Sequence, residues 1–174
     1  LSLRRQRQNV YKRQGNREVL KKKYYHLIIL VRNQMGLKNL YKIVSEAHVN
    51  YFFKKPRVPR SLLNKYRDGL ILTSACEAGE LYRAVVEGRS YEELKKIASY
   101  YDVLEVQPLG NNAYMVREGK VESEEVIKDF NRTVIKLGED LHKPVIATGD
   151  VHFTEPEDAI YRSVPVSYTH LTLP

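Results

Sequence analysis

The sequence predicts an α/β fold. Short apolar runs of strand length, such as 25–31 and 69–73, alternate with segments whose apolar residues recur at helical spacing. Residues that favour the start or the end of a helix stand at the borders of these segments. Alternation of this kind is typical of an α/β architecture.

The first predicted strand covers residues 25–31. It is followed by a helix whose apolar positions fall near a spacing of 3.6 residues. These positions are Leu37, Leu40, Tyr41, Val44, Ala47 and His48. A basic loop with Pro56 and Pro59 then leads to a short helix at 61–66 and to the second strand at 69–73.

Two predicted helices follow the second strand. Residues 80–87 form a short helix that Gly88 ends, because glycine is favoured just past a helix C-terminus. Ser90 and Glu93 have the spacing of a capping box, which opens the next helix, at 90–100.

The last predicted elements are two strands and one long helix. Residues 103–107 are the third strand, and 110–112, with the sequence GNN, form a turn. Ser123 caps a helix that extends to about residue 141. The apolar run 144–147 is the fourth strand.

Side chains that bind metals stand at the ends of these strands. His26 begins the first strand, Cys76 follows the second, and Asp150 and His152 follow the fourth. Two side chains separated by one residue on an extended chain point the same way, so Asp150 and His152 suit a shared cation. Imidazole, thiolate and carboxylate are ligands for divalent metals. The alternative for the Asp-x-His pair is a turn with a satisfied histidine.

Six segments carry a family resemblance. In chain order they read YHLIILV at 25–31, GLKNLYKIVS at 36–45, PRVPR at 56–60, SACEAGE at 74–80, LEVQP at 104–108 and ATGDVH at 147–152. Together they resemble the polymerase and histidinol phosphatase (PHP) domain of the PolC-type alpha subunit of bacterial DNA polymerase III. The resemblance extends from about residue 24 to about residue 162.

The resemblance implies a particular fold. PHP domains are distorted β/α barrels whose strand ends hold up to three divalent metal ions. Four predicted strands are about half of such a barrel, so we expect the C-terminal portion of a distorted (β/α) barrel of the PHP type, incomplete in this chain. The early His-x-His motif of the family is absent from the sequence. In PolC-type proteins an exonuclease domain is inserted within the PHP domain, and this chain resembles the part that follows the insertion.

The resemblance also implies a set of metal ligands. By position, His26, Cys76, Asp150 and His152 match the family's ligands for divalent metal ions, which are zinc, manganese or magnesium. No catalytic residue is assigned in this part of the family. The alternatives are a histidine packed under the barrel for His26 and a buried, inert thiol for Cys76.

One cluster of cations has aromatic neighbours. It follows an aromatic run at 51–53, and it comprises Lys54, Lys55, Arg57 and Arg60. Such a cluster can contact DNA phosphates or another domain of a polymerase. The alternative is a solvated basic loop that the prolines keep exposed.

The two ends do not belong to the resemblance. Residues 10–14 and 166–174 can be back-translated into transposase-type sequencing adapter. We therefore interpret residues 1–14 and 164–174 as translated adapter and residues 15–163 as a partial PHP domain. The alternative for the first segment is a natural basic arm. Without its five cationic residues the formal net charge falls from +8 to +3, so overall charge is a weak argument for nucleic-acid binding.

The expected function is therefore that of a polymerase fragment. The full protein would carry out DNA-directed DNA synthesis with 3'-5' proofreading, while this part binds metal and is inactive alone. Its partners would be DNA, other replisome subunits and the rest of the same chain, with no membrane. The single cysteine excludes an internal disulfide and favours the cytoplasm. The alternatives are a stand-alone PHP phosphoesterase similar to histidinol phosphatase and a metal-free domain that docks partners.

Overall fold

The computed structural model describes residues 23–53, 55–149, 151 and 154–158. The predicted site residues Lys54, Asp150 and His152 lie outside the described residues, as do both segments interpreted as adapter. The described elements are, in chain order, β1 (Ile28–Val31), α1 (Gln34–Val49), β2 (Phe52–Phe53), β3 (Lys55–Pro56), α2 (Arg60–Lys65), β4 (Leu70–Thr73), α3 (Glu80–Val86), α4 (Tyr91–Ala98), β5 (Leu104–Val106), α5 (Leu109–Asn112), α6 (Tyr114–Arg117), α7 (Glu124–Asp140), β6 (Val145–Ala147) and a 3-10 turn (Pro156–Asp158).

The four predicted strands are present and lie side by side. β1 pairs with β4 in the antiparallel direction, with Ile29 opposite Leu72. β5 pairs with β6 in parallel. An isolated parallel bridge between Thr73 and Val103 joins the two pairs. The mixture of helices and strands confirms the α/β class, but β1 runs against its neighbour, unlike the strands of an all-parallel barrel. The described strands do not close into a barrel.

The core lies between this sheet and the helices that cover it. Leu72 on β4 and Leu104 on β5 are fully buried, and Leu137 of α7 and Ile43 of α1 are buried with them. Complete burial of one such side chain contributes about 1.5–3 kcal/mol to stability. The apolar residues from which the strands were predicted therefore form the core that packs the helices against the sheet.

The helix starts are partly as predicted. Ser90 and Glu93 form the expected capping box, with the Glu93 carboxylate accepting from the Ser90 amide at 3.1 Å. Ser123 occupies the N-cap position of α7, but its side chain makes no capping hydrogen bond. Glu124 and Glu125 in the first turn of α7 instead stabilise the helix through their interaction with the positive end of its dipole.

Two local predictions were wrong. The predicted turn at 110–112 belongs to the short helix α5, whose last residue, Asn112, is buried and donates to the Tyr82 hydroxyl at 3.1 Å. The basic segment, predicted as a loop, contains part of the small antiparallel hairpin formed by β2 and β3. The partner of Asn112, Tyr82, comes from another part of the chain. The local sequence at 110–112 therefore could not reveal this contact.

Several apolar side chains of β1 and α1 are exposed in the described residues. Ile28, Leu30 and Val31 of β1 are each 41–47% exposed. Tyr41 and Val44, which were predicted on the apolar face of α1, are also exposed. The buried residues of α1 are Gly36, Asn39, Ile43 and Ala47. Of the predicted apolar positions, Ala47 is thus buried, and Leu40 packs against the core. Among the described helices, none has the length and apolar character that a membrane span needs.

Candidate metal centre and its cavity

His26 and Cys76, which are fifty residues apart in sequence, meet in the fold. The His26 amide donates to the Ala78 carbonyl at 3.0 Å, and His26 forms an isolated bridge with Gly79. The start of the first strand therefore lies along the loop that follows β4. This pairing brings the Cys76 Sγ to 3.5 Å from the His26 Nδ1.

The loop around Cys76 has an unusual backbone. Ala75 adopts a φ of 59°, a left-handed conformation that residues other than glycine rarely take. The chain then turns back so tightly that a Cβ on Gly79 would overlap the Ser74 carbonyl oxygen. Cys76 accepts a hydrogen bond from the Gly79 amide at 2.8 Å, which closes the turn. Backbone strain of this kind is often found at functional sites, where packing maintains it.

The distance between the two ligands fits a shared metal ion. Tetrahedral zinc, with bonds of about 2.3 Å to sulfur and about 2.0–2.1 Å to nitrogen, places those two atoms about 3.6 Å apart. The observed Sγ to Nδ1 distance is 3.5 Å. The pair can therefore bind one zinc ion with only small movements, and without metal the thiol can hydrogen-bond to the imidazole.

The other two predicted ligands follow the end of β6. Asp150 and His152 lie outside the described residues, so the structure does not place them. Within the residues that are described, no three His, Cys, Asp or Glu side chains come close enough to hold a metal. Thr148, two residues before Asp150, lines the same cavity as His26 and Cys76. The described residues thus supply two candidate ligands, His26 and Cys76, and the end of β6 lies at the same cavity.

The sequence analysis missed two polar residues of this cavity. Glu105 and Gln107 are nearly completely buried, yet both line the cavity. They are two residues apart on β5 and its extension, so they share a face. The side chain between them, Val106, packs against the hydrophobic core. The Oε1 of Gln107 has no hydrogen-bond partner among the described residues. An acidic residue inside an apolar strand, as in LEVQP, is the sequence feature that could have revealed them.

The predicted basic cluster forms a wall of the same cavity. Lys55, Arg57 and Arg60 all line it. The Lys55 Nζ and the Arg57 Cζ lie 4.6 Å and 4.4 Å from the centre of the Tyr24 ring. A hydrogen bond with the Lys55 ammonium lowers the pKa of Tyr24, as expected at a positively charged surface. The structure thus brings these cations close to the candidate metal ligands, which the sequence analysis treated separately.

A second aromatic residue supports Arg60. The Arg60 guanidinium lies 4.3 Å from the centre of the Tyr100 ring and forms an ion pair with Glu80. Glu80 also accepts a hydrogen bond from the Tyr101 hydroxyl at 3.2 Å. Burial raises the pKa of Tyr101, so its hydroxyl stays protonated and can donate to Glu80 at neutral pH. These contacts hold the Arg60 side chain at the cavity.

The cavity can therefore hold both a cation and an anion. Its volume is about 840 Å³, which is large enough for a small phosphate ester. Thiol and imidazole groups suit a divalent metal, and guanidinium groups suit phosphate oxygens because they can donate two parallel hydrogen bonds. The arrangement is suited to phosphate chemistry at a metal ion.

Comparison with known proteins gives consistent matches. The family described as "PHP domain" matches residues 5–107. "DNA polymerase III PolC-type" of Clostridium perfringens (strain 13 / Type A) is 51% identical over 150 residues, which are 86% of this chain and 10% of that protein. The protein of the same name from Bacillus subtilis (strain 168) is 46% identical over 143 residues, 82% of this chain and 10% of that protein. The chain thus spans about a tenth of the length of these relatives.

The family match begins at residue 5, inside the segment 1–14 that we interpret as adapter. The boundaries at residues 14 and 164 therefore stay predictions.

Proposed function

The chain belongs to the PHP domain family, and we propose that it is the part of that domain which follows the exonuclease insertion in a PolC-type DNA polymerase III alpha subunit. The observation that carries the proposal is the identity of 51% over 150 residues with a protein of that name. We refer to the complete polymerase as the parent protein. It carries out DNA-directed DNA synthesis with 3'-5' proofreading, and the present chain alone is inactive.

The open edge of the sheet at β1 supports the proposal that the barrel is incomplete in this chain. β1 pairs with β4 on one side only among the described residues, and Ile28, Leu30 and Val31 of β1 are exposed. An exposed apolar edge strand normally needs a covering element. We propose that the preceding part of the PHP domain covers β1 and completes the distorted barrel in the parent protein.

The metal centre of the domain would use four side chains. His26 and Cys76 form the described pair, and we assign Asp150 and His152 as the further ligands. A thiolate and an imidazole favour zinc over magnesium, which prefers oxygen ligands. A bound zinc ion would lower the pKa of a coordinated water and stabilise negative charge on phosphate oxygens. The chain's own contribution is to position the ligands and to exclude water from the buried part of the cavity.

The cationic wall would hold the phosphate groups of DNA. Lys54, Lys55, Arg57 and Arg60 belong to this wall by sequence, and the last three line the cavity. The alternative partner of these cations is another domain of the same polymerase. Other replisome subunits bind the parent protein, which we place in the cytoplasm and away from membranes.

Replacing both Arg57 and Arg60 with glutamine in the parent protein is expected to weaken DNA binding and its salt dependence. The logarithm of the binding constant falls linearly with the logarithm of the salt concentration, and each phosphate contact contributes about 0.7–0.9 to the magnitude of that slope. The double variant should therefore show a slope that is smaller in magnitude by about 1.4–1.8. Fluorescence anisotropy with labelled DNA at several salt concentrations measures this slope. The matched control replaces Lys128 and Arg132, two cations of α7 that pair with Glu125. A slope equal to that of the control would contradict a DNA contact.

Primer extension by the parent protein tests the proposal as a whole. We expect DNA synthesis that depends on a template and on all four deoxynucleotides.

The competing hypothesis is a stand-alone phosphoesterase similar to histidinol phosphatase. Hydrolysis of histidinol phosphate without any primer extension would favour that hypothesis and contradict ours.

A further inference from the structure

Glu105 is a buried carboxylate in the middle of the sheet. It is only 4% exposed, and its neighbour in sequence, Leu104, is fully buried in the core on the opposite face of β5. Burying a carboxylate is costly unless hydrogen bonds replace the lost water. An apolar side chain would fit this position of the sheet at lower cost. The presence of a carboxylate at position 105 therefore needs an explanation.

The hydrogen bonds of Glu105 connect three neighbouring strands. Its Oε1 accepts from the hydroxyl of Thr73, the last residue of β4. Its Oε2 accepts from the hydroxyl of Thr148, just beyond the end of β6, at 2.9 Å. Its amide donates to the Ser74 Oγ at 2.9 Å. One residue on the central strand thus fixes the ends of the strands on both sides.

Those two strand ends carry the candidate ligands. Cys76 comes three residues after Thr73, and Asp150 comes two residues after Thr148. The Thr148 amide also donates to the Val106 carbonyl at 3.0 Å, so this end is held to β5 through both backbone and side chain. The separation of these two ends is thus the separation between the segment that leads to Cys76 and the segment that leads to Asp150 in sequence.

We propose that Glu105 is a positioning residue of the metal centre, which holds the strand end before Cys76 and the strand end before Asp150 at a fixed separation. The proposal rests on the proposed metal-binding function. The role is positioning, because both carboxylate oxygens already accept hydrogen bonds from hydroxyl groups and Glu105 forms no three-ligand cluster among the described residues. Partners that hydrogen-bond directly to a metal ligand change metal affinity 10- to 100-fold when they are removed. Glu105 acts through the strand ends instead, so we expect an effect at the lower end of that range.

The test uses Thr148→Val in the parent protein, which removes one hydroxyl of the network and keeps a similar shape. We measure zinc affinity by chelator competition, and thermal stability in excess chelator. Zinc affinity is expected to fall about tenfold, the lower end of the range for outer partners of a metal site. Thr73→Val should act in the same direction through the other strand end, and Thr148→Ser, which keeps the hydroxyl, should retain affinity near that of the wild type.

The matched control is Thr133→Val on α7, where the hydroxyl bonds only to the Asp129 carbonyl of the same helix. Thr148→Val should lower stability without metal more than the control does, because it leaves one oxygen of the buried Glu105 carboxylate without its hydrogen bond. The zinc affinities are therefore compared under conditions in which both variants are folded in excess chelator. If the zinc affinities of Thr148→Val and Thr73→Val equal that of the control, the positioning role is wrong while the metal site stands. If Cys76→Ser binds as much zinc as the wild type, or if the wild type binds none, the proposed metal site is wrong. The positioning role is then wrong as well.

Discussion

Replacing Cys76 with serine is expected to remove one tightly bound zinc ion per chain from the parent protein. The serine hydroxyl stays protonated at neutral pH and is a much poorer zinc ligand than a thiolate. Loss of an outer partner alone costs 10- to 100-fold in affinity, so loss of a direct ligand should cost more than about 100-fold. Zinc content after dialysis against a chelator measures the effect. In the cobalt-substituted protein, the absorption band of the cobalt–thiolate bond should disappear as well.

Two other histidines serve as controls for this prediction. The His48 Nδ1 bonds to the Val44 carbonyl at 2.8 Å within its own helix, and His142 has a left-handed φ of 52° at the end of α7. Asparagine tolerates both positions. The His48→Asn and His142→Asn variants should therefore keep their zinc, whereas His26→Asn should lose it. Zinc retained at wild-type affinity in Cys76→Ser would contradict the assignment of Cys76 as a ligand.

Replacing Leu72 with alanine is expected to lower the free energy of unfolding by about 2–5 kcal/mol. Leu72 is fully buried in the core with Ile43 of α1 and Leu137 of α7, and its carbonyl accepts from the amides of Asp102 and Val103. The neighbouring strands cannot close around the lost volume without breaking this pairing. Urea denaturation followed by circular dichroism gives the change.

The control for Leu72 lies on the exposed strand. Leu30 is 47% exposed in the described residues, so Leu30→Ala in this chain should change stability by less than about 1 kcal/mol. In the parent protein the same variant should cost more, since we propose that the rest of the barrel covers β1. Equal effects of the two substitutions in this chain would contradict the description of its core.

The sequence predicted the elements of the fold better than their arrangement. The strands 69–73 and 103–107 and the capping box at Ser90 and Glu93 depend on neighbouring residues, and all three are present. The direction of β1 and the helical end at Asn112 depend on contacts between distant parts of the chain. A local pattern does not contain that information, so these features could not be predicted from it.

The candidate site was predicted through the resemblance, and only in part. Position within the family motifs indicated His26 and Cys76, and the fold brings their side chains to 3.5 Å. Glu105 was missed, because its role becomes visible only when Thr73 and Thr148 are seen on the strands beside it. Hydrogen bonds across a sheet join residues whose spacing in sequence follows no period.

The most direct test of the central claim, that this chain is a segment of a polymerase PHP domain, is to sequence the parent DNA across both ends of the chain. We expect the reading frame to continue upstream through an exonuclease segment with an Asp-x-Glu motif to an early His-x-His. Downstream it should continue beyond Arg162 into a polymerase with its catalytic acidic residues. A stop codon soon after Arg162, or a start codon shortly before Tyr24, would contradict the account.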